Sequence, residues 1–421
     1  MKPLRSVFVA VLLTTLLIAG CPQEAPPEDP GVSATPSPAV AEDPAPPSRD
    51  PDDPGAVTAL DKLGVKLRRD DAGSVVAADA IAVDLQDDDL RHFTGLPYLV
   101  DLDLGKSSIT DEGLAVLEQM PQLKALGLRR CNLITDDGLQ HLAHVPRLER
   151  LSLLFTNAGN DCMETVASLQ KLRALDLRAS KVRDGGLEKL REHPSLVDIK
   201  LRADSITDDG VAHLATIPQL RVLEIEDAYV TSDSWPNIGS LVNLEKLNLM
   251  RTYVEASGFE NLAGLTKLKD VRLRGAPVTP DALVHLHGSK ETLSYLDITE
   301  CPINDQQSLA SLVPLENLQT LQLWQTKLAD EGLEHVGQLK QLRYLNISKC
   351  PAVTSAGIDH LLELTSLEEI VLSETGIDDE ALGKLAQLPS LKKLVIEATP
   401  AVSDEAIQSF IGAGENRTVV K

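Results

Sequence analysis

The chain has 421 residues, with 63 acidic against 40 basic side chains and a formal net charge of −23. That balance leaves no overall basic footprint, which disfavours nucleic acid as a partner and favours a soluble monomer. Aromatic residues make up only 3% while hydrophobic residues reach 43%, a composition suited to thin layers packed by Leu, Ile and Val.

Residues 1–20 read as an export signal. Lys2 and Arg5 give a positive start, and the apolar run from Val7 to Ile18, broken only by Thr14 and Thr15, is short for a membrane span. Leu17-Ile18-Ala19-Gly20-Cys21 resembles the bacterial lipobox. The resemblance implies cleavage before Cys21, lipid on its thiol and new amine, and attachment to a bacterial cell membrane on its periplasmic or outer side. The alternative is an ordinary signal peptide with an incidental cysteine. Residues 21–55 continue as a tether rich in Pro, Ala, Asp and Glu, with Arg49 as its basic residue. Such a segment has too little apolar surface to offset ordering entropy. At about 3.1 Å per residue in polyproline conformation it would reach roughly 100 Å.

Over residues 56–98 the sequence predicts an N-terminal cap and a degenerate first repeat. Leu60, Leu63 and Leu67 stand at helical spacing, and Val75 to Leu85 would cover the open end of the repeat array.

From 99 to 411 one motif recurs. Leu99-Val-Asp-Leu-Asp-Leu104 returns as Leu123-Lys-Ala-Leu-Gly-Leu128, as Leu172-Arg-Ala-Leu-Asp-Leu177 and, in thirteen copies, as far as Leu391-Lys-Lys-Leu-Val-Ile396. The spacing is 24 or 25 residues, the period of one strand and one helix per turn of a solenoid. In the first copy, Leu102 and Leu104 point inward and Asp101 and Asp103 outward. Ile109 is again inward. Thr110 is placed to cap a helix, with Asp111 and Glu112 at its positive end. Leu114, Leu117 and Met120 form one helical face, and Pro121 ends it. The acidic cap recurs at Ile134-Thr-Asp-Asp-Gly-Leu139 and Ile206-Thr-Asp-Asp-Gly-Val211, so part of the negative charge needs no partner. Cys131, Cys301 and Cys350 share the ninth slot of non-adjacent copies and read as small buried residues, not a disulfide or zinc set. Cys162 has no evident partner. Ala406 to Ile411 reads as a last helix, and residues 412–421 as a frayed tail.

This pattern resembles the leucine-rich-repeat family, of the cysteine-containing, ribonuclease-inhibitor-like type, although small hydroxyls and thiols replace the usual Asn of the ninth slot. The resemblance covers about residues 80–410. It implies an α/β fold, a right-handed solenoid bent into a horseshoe or arc, with parallel strands on the concave face and short helices on the convex face. For function it implies binding, usually of protein, on the concave side.

The third, fifth and seventh strand positions face that side. They give Tyr295 and Tyr344, then Lys200, then Arg129, Leu154, Arg178, Arg202, Arg274 and Trp324; the eighth position adds Phe155. These are the candidate ligand-binding residues: a basic ridge with apolar anchors, of types enriched at binding hot spots. Alternatively Arg129, Arg178 and Arg202 pair with Asp176, Asp198, Glu224 and Glu226 as a solvated ladder. Trp235 occupies a helix position that is Leu elsewhere and belongs to the core. His141, His213, His285, His335 and His360 share a register but lie too far apart for a metal set. No phosphate loop, HExxH or nucleophile elbow is present, no segment outside the repeats offers a catalytic domain, and no cofactor or metal is implied. The sequence thus reads as a non-enzymatic, exported and lipid-anchored monomer that binds a protein partner at the cell envelope, touching the membrane through its lipid alone. A structural or adhesive scaffold is the alternative, and a hydrolase using His335, His360 and nearby acids the remaining rival.

Overall fold

The computed structural model describes residues 50–303 and 309–421, apart from the side chains of Pro280 and Asp281. The expected signal, Cys21 and the expected tether up to Arg49 lie outside the described residues. The compact unit spans Asp50–Lys421.

Its frame is one sixteen-stranded sheet in which the strands stand in chain order. After an antiparallel first pair, every pairing is parallel. The register is constant. The third positions of successive coils align, from Ala77 through Asp101, Ala125, Arg150, Ala174 and Asp198 to Lys393 and Thr418. Period-two alternation then sends the leucines to one side. Leu99, Leu102, Leu104, Ile109, Leu114, Leu117 and Met120 are each 0% exposed, and the same slots repeat along a single continuous core. This is the leucine-rich-repeat solenoid, with strands lining the concave face and short α or 3₁₀ segments on the convex face. Removing one of these buried leucines to Ala costs about 2–5 kcal/mol in comparable cores.

Most of the repeat strands end in a turn whose eighth position has positive φ, held by Gly275 in one coil but elsewhere by side-chain-bearing residues, Lys106, Arg130, Phe155, Ala179, Asp227, Arg251 and Glu300 among them. A left-handed residue other than Gly costs about 1–2 kcal/mol. The conformation lets the eighth N–H reach the seventh carbonyl of the next coil, as Lys106 does to Arg129 (2.8 Å) and Arg130 to Leu154 (2.8 Å).

The acidic caps work between coils as well as within them. Asp111 accepts the Thr135 N–H (2.8 Å) and hydroxyl (2.6 Å) of the following coil. Asp184 does the same for Thr207 (3.0 and 2.7 Å), and Asp208 for Thr231 (2.8 and 2.6 Å). Thr135 and Thr207 also cap their own helices, accepting from Asp137 and Asp209 at 3.3 Å. Thr110 departs from the expected cap. Its hydroxyl donates to Asp87 (2.6 Å), and its coil forms a 3₁₀ segment, Gly113–Gln119, capped at Glu112 without a side-chain bond. The glycine of the motif has a steric reason. A Cβ at Gly138, Gly210 or Gly357 would overlap Asp111, Asp184 or Asp330 of the preceding coil.

Both ends differ from expectation. Helix α1 spans Pro54–Leu63 and stops at Gly64 (φ 88°), so Leu67 lies in strand β1, Lys66–Arg69, not on a helix. Strand β1 pairs antiparallel with β2, Val75–Asp79, and closes the first edge of the array. The folded unit also reaches into the expected tether. Asp53 caps α1, and the Asp52 carboxylate holds Arg69 (3.0 Å) and the Val75 N–H (2.9 Å). At the other end, residues 412–421 are not a frayed tail. Thr418–Val420 forms the sixteenth strand, in register with Lys393–Val395. The chain is pinned there by Arg417, 8% exposed. Its guanidinium donates to the carbonyls of Ala386 (3.1 Å) and Leu388 (2.9 Å) and packs on Phe410.

Candidate functional site

All ten candidate binding residues project from the sheet on the side away from the leucine core, where none is fully buried. The basic ridge, however, is a charge-compensated network. Arg178 grips Asp176 of its own strand with two bonds (3.0 and 2.8 Å). Arg202 donates to Asp227 (2.6 Å), which Arg251 also holds (2.9 Å). Those two guanidiniums, Arg251 foremost, lower the Asp227 carboxyl to about 2. Arg274 forks onto Glu300 (2.8 and 3.2 Å). Lys200 and Lys246 flank the buried Glu224 at 3.5 and 3.0 Å. Burial pushes the Glu224 carboxyl up, but Lys246 and Lys200 outweigh it and hold it below the usual range. Arg129 is the loosest, 4.0 Å from Asp103, and its buried Nε has no hydrogen-bond partner among the described residues. The expected ladder therefore forms in part: Arg178 takes Asp176 as expected, whereas Arg129 and Arg202 turn to Asp103 and Asp227 and not to Asp198, Glu224 or Glu226. The physical reason is register: parallel strands bring the fifth and eighth positions of neighbouring coils within reach of a seventh-position guanidinium.

Three of the aromatic anchors carry a cation against the ring. Trp324 lies between Arg274 and Lys349, each 4.9 Å from its ring. Arg272, bonded to Asp270, stacks on Tyr295 at 4.5 Å. Phe155, in its left-handed turn, is 39% exposed and carries Arg130 over its face at 5.0 Å. Leu154 and Tyr344 are half-buried beside them. A cation over an aromatic face is worth about 0.5–1 kcal/mol at exposed sites, so these rings are pre-ordered rather than free. Trp235 belongs to the core, as its helix position implies. It is 0% exposed, T-stacked on Phe259 at 4.9 Å, and donates to the Glu255 carbonyl (2.9 Å).

Two features escape a reading of the sequence. Tyr229 and Tyr253, at the tenth positions of adjacent coils, stack in parallel (5.4 Å, 5°) while 55% and 60% exposed. The second is a recess of about 340 Å³ at the N-terminal end of the inner face. It is lined by the small residues Ala125, Gly127, Ser152 and Ala174 and by Asp101, Asp103, Asp176, Asp198, Lys200 and Arg150, the last on the middle strand and bonded to Asp101 (3.2 Å). A signal for the recess does exist: small side chains occupy the third or fifth position of three consecutive coils.

Among the described residues no group of three or more His, Cys, Asp and Glu is arranged to hold a metal ion, and no helix is long and apolar enough to cross a membrane. The four described cysteines are free and buried. Burial raises the Cys301 thiol to about 12.

The sequence model of the family described as "Leucine Rich repeat" matches residues 95–117. Similar solved structures include an internalin, InlF, of Listeria monocytogenes, at TM-score 0.53 and 19% identity over 87% of this chain and 94% of that one. A leucine-rich-repeat protein of Leptospira interrogans gives TM-score 0.54 and 18% identity over 80% and 95%. TLR13, solved as a complex with ssRNA13, gives 0.53 and 18% over 83% of this chain and 47% of its own. At these identities the likeness is one of fold. Among curated proteins the chain has no match.

Proposed function

We propose that the inner strand face binds a protein partner and that the chain does so at the cell envelope, exported by its first 20 residues and anchored through lipid on Cys21. The observation that carries the binding reading is the ordered display of Arg178, Arg202, Arg274, Tyr295 and Trp324 on one rigid sheet, each held by a salt bridge or a cation–ring contact. Pre-ordered arginines and aromatics lose little entropy on binding, which is the condition for a hot spot. Protein is favoured over RNA, the ligand in the TLR13 complex. Here every cation of the proposed ridge faces a carboxylate, and the chain as a whole carries −23. Envelope attachment rests on the lipobox resemblance and the length of the tether behind it. No catalytic step is assigned to the chain.

Capture from detergent-solubilised membranes tests this, with residues 50–421 as bait, since a bait starting at 56 would lack Asp52 and Asp53. Trp324→Ala together with Arg202→Ala is expected to lower capture at least tenfold while moving the melting temperature by no more than a few degrees. Undiminished capture would remove these residues from the site. Labelling with a radioactive fatty acid, lost in Cys21→Ala, tests the anchor.

A further inference from the structure

We propose that the rim of the sheet over the first four coils is a docking strip for an acidic segment of a partner protein, one whose carboxylates alternate with apolar side chains. This rests on the binding reading above and extends it from the inner face to its edge. Charge is the first observation. Segments 105–110, 129–135, 154–159 and 178–183 follow four successive strands and hold six basic residues and no acid, in a chain with 63 acidic side chains. The next coil already carries Asp204 in this stretch, and the one after it Glu226 and Asp227. Two of the six cations, Arg129 and Arg178, turn inward to Asp103 and Asp176. The other four, Lys106, Arg130, Lys181 and Arg183, are exposed and make no ion pair or side-chain hydrogen bond among the described residues. Arg183 stands where Thr135 and Thr207 cap their helices, and forms no such cap.

The second observation is order. The eighth-position residues Lys106, Arg130, Phe155 and Ala179 stand in a row, each N–H bonded to a carbonyl of the next coil (2.8, 2.8, 3.0 and 2.9 Å). At about 4.8 Å per strand the row is roughly 14 Å long, the length of about four residues of extended chain. Arg130 rests over the Phe155 ring at 5.0 Å. The contact holds the guanidinium in place and leaves its N–H fork open, the geometry that takes a carboxylate with two bonds. The third observation is exposed apolar area on the same strip: Leu133 is 54% and Phe155 39% exposed. The last is width. Asp101, Asp103 and Asp176 border the strip on the inner-face side, and the cap carboxylates Asp111, Asp136 and Asp184 on the helical side. A membrane or a duplex laid across it would press its phosphates against both acidic rows, whereas a single extended chain fits between them. The net charge of −23 opposes an acidic partner at a distance. At physiological salt that field is screened over about 8 Å, so the cations of the strip decide at contact.

The test is fluorescence anisotropy of a labelled peptide, Glu-Phe-Glu-Leu-Glu-Glu, on residues 50–421 at physiological ionic strength. Arg130→Gln with Lys181→Gln is expected to weaken binding about tenfold. Arg147→Gln with Lys171→Gln makes the same change in charge at exposed positions on the opposite edge of the array, and is expected to leave binding within about twofold. Leu133→Ser removes exposed apolar area without touching a charge and is expected to weaken binding about threefold, so the result does not hang on the folding of one variant. No binding by the natural sequence, equal losses in the two charge variants, or binding undiminished by Leu133→Ser would overturn the strip. Co-sedimentation with vesicles of equal parts phosphatidylcholine and phosphatidylserine, lost in the Arg130 and Lys181 variant, would make it a membrane contact and overturn it as well. Membrane capture separates this idea from the one beneath it. Loss of capture with the Trp324 and Arg202 variant but not with the Arg130 and Lys181 variant would leave the inner-face reading standing and remove the strip.

Discussion

Asp184 serves two coils at once: it sits in the first turn of its own helix and accepts two hydrogen bonds from Thr207 of the next. Hydrogen bonds to a charged group contribute about 1.5–3 kcal/mol each, and an amide left without its acceptor adds a penalty. Asp184→Ala is therefore expected to cost roughly 2–4 kcal/mol, read as a fall in the denaturation midpoint with the slope unchanged. A loss below about 0.5 kcal/mol would mean that the bonds merely exchange with water. Asp198 works in the opposite direction. Its carboxyl is raised by burial, so between the unfolded and folded pKa values the folded chain holds the proton more tightly. Stability from this group is thus present below the ordinary aspartate pKa of about 3.9 and falls as pH rises through the raised value. Asp198→Asn is expected to raise the melting temperature at pH 7 and to bring no gain near pH 3. A lower melting temperature at pH 7 would show that the ionised carboxylate already has a stabilising partner.

At the scale of elements the ends decide whether the array is closed. Arg417 joins the last strand to the helical side through carbonyls of Ala386, Leu388 and Phe410. Arg417→Ala leaves buried carbonyls without donors and should cost about 2–4 kcal/mol. In a solenoid, where each coil depends on its neighbours, the loss should show first as faster amide exchange in the coil of Leu391. Exchange unchanged there would make the tail dispensable, as its polar sequence suggests. The contrast between sequence and structure at this end has a plain cause. Gly-Ala-Gly-Glu-Asn over 412–416 looks like a frayed end, and nothing local reveals that Thr418-Val-Val420 finds a free sheet edge. Leu67 is misplaced by its sequence for a similar reason, since helical spacing continues past Gly64, whose left-handed turn ends α1. The interior elements are legible because period and burial agree in every coil. The inner face is only half legible. Register puts the correct residues on it, as Arg178, Lys200 and Trp324 show, but the partners of a long side chain depend on the strand spacing and not on the sequence order.

Over the whole molecule, a rigid parallel sheet makes the inner face a fixed pattern of charges and rings, and binding to it should need little rearrangement. Most of its charges are paired and partly exposed, so they contribute little to stability individually; under the proposed binding role their arrangement would select the partner. The measurement that tests this most directly compares membrane capture by three forms of residues 50–421: the natural sequence, the Trp324→Ala and Arg202→Ala form, and a convex-side control with Glu188→Gln and Glu331→Gln. The same captured protein is expected with the natural and control forms, and its loss with the inner-face form, all three being equally folded. Capture that survives in the inner-face form and disappears in the convex-side control would contradict a binding role for the inner face.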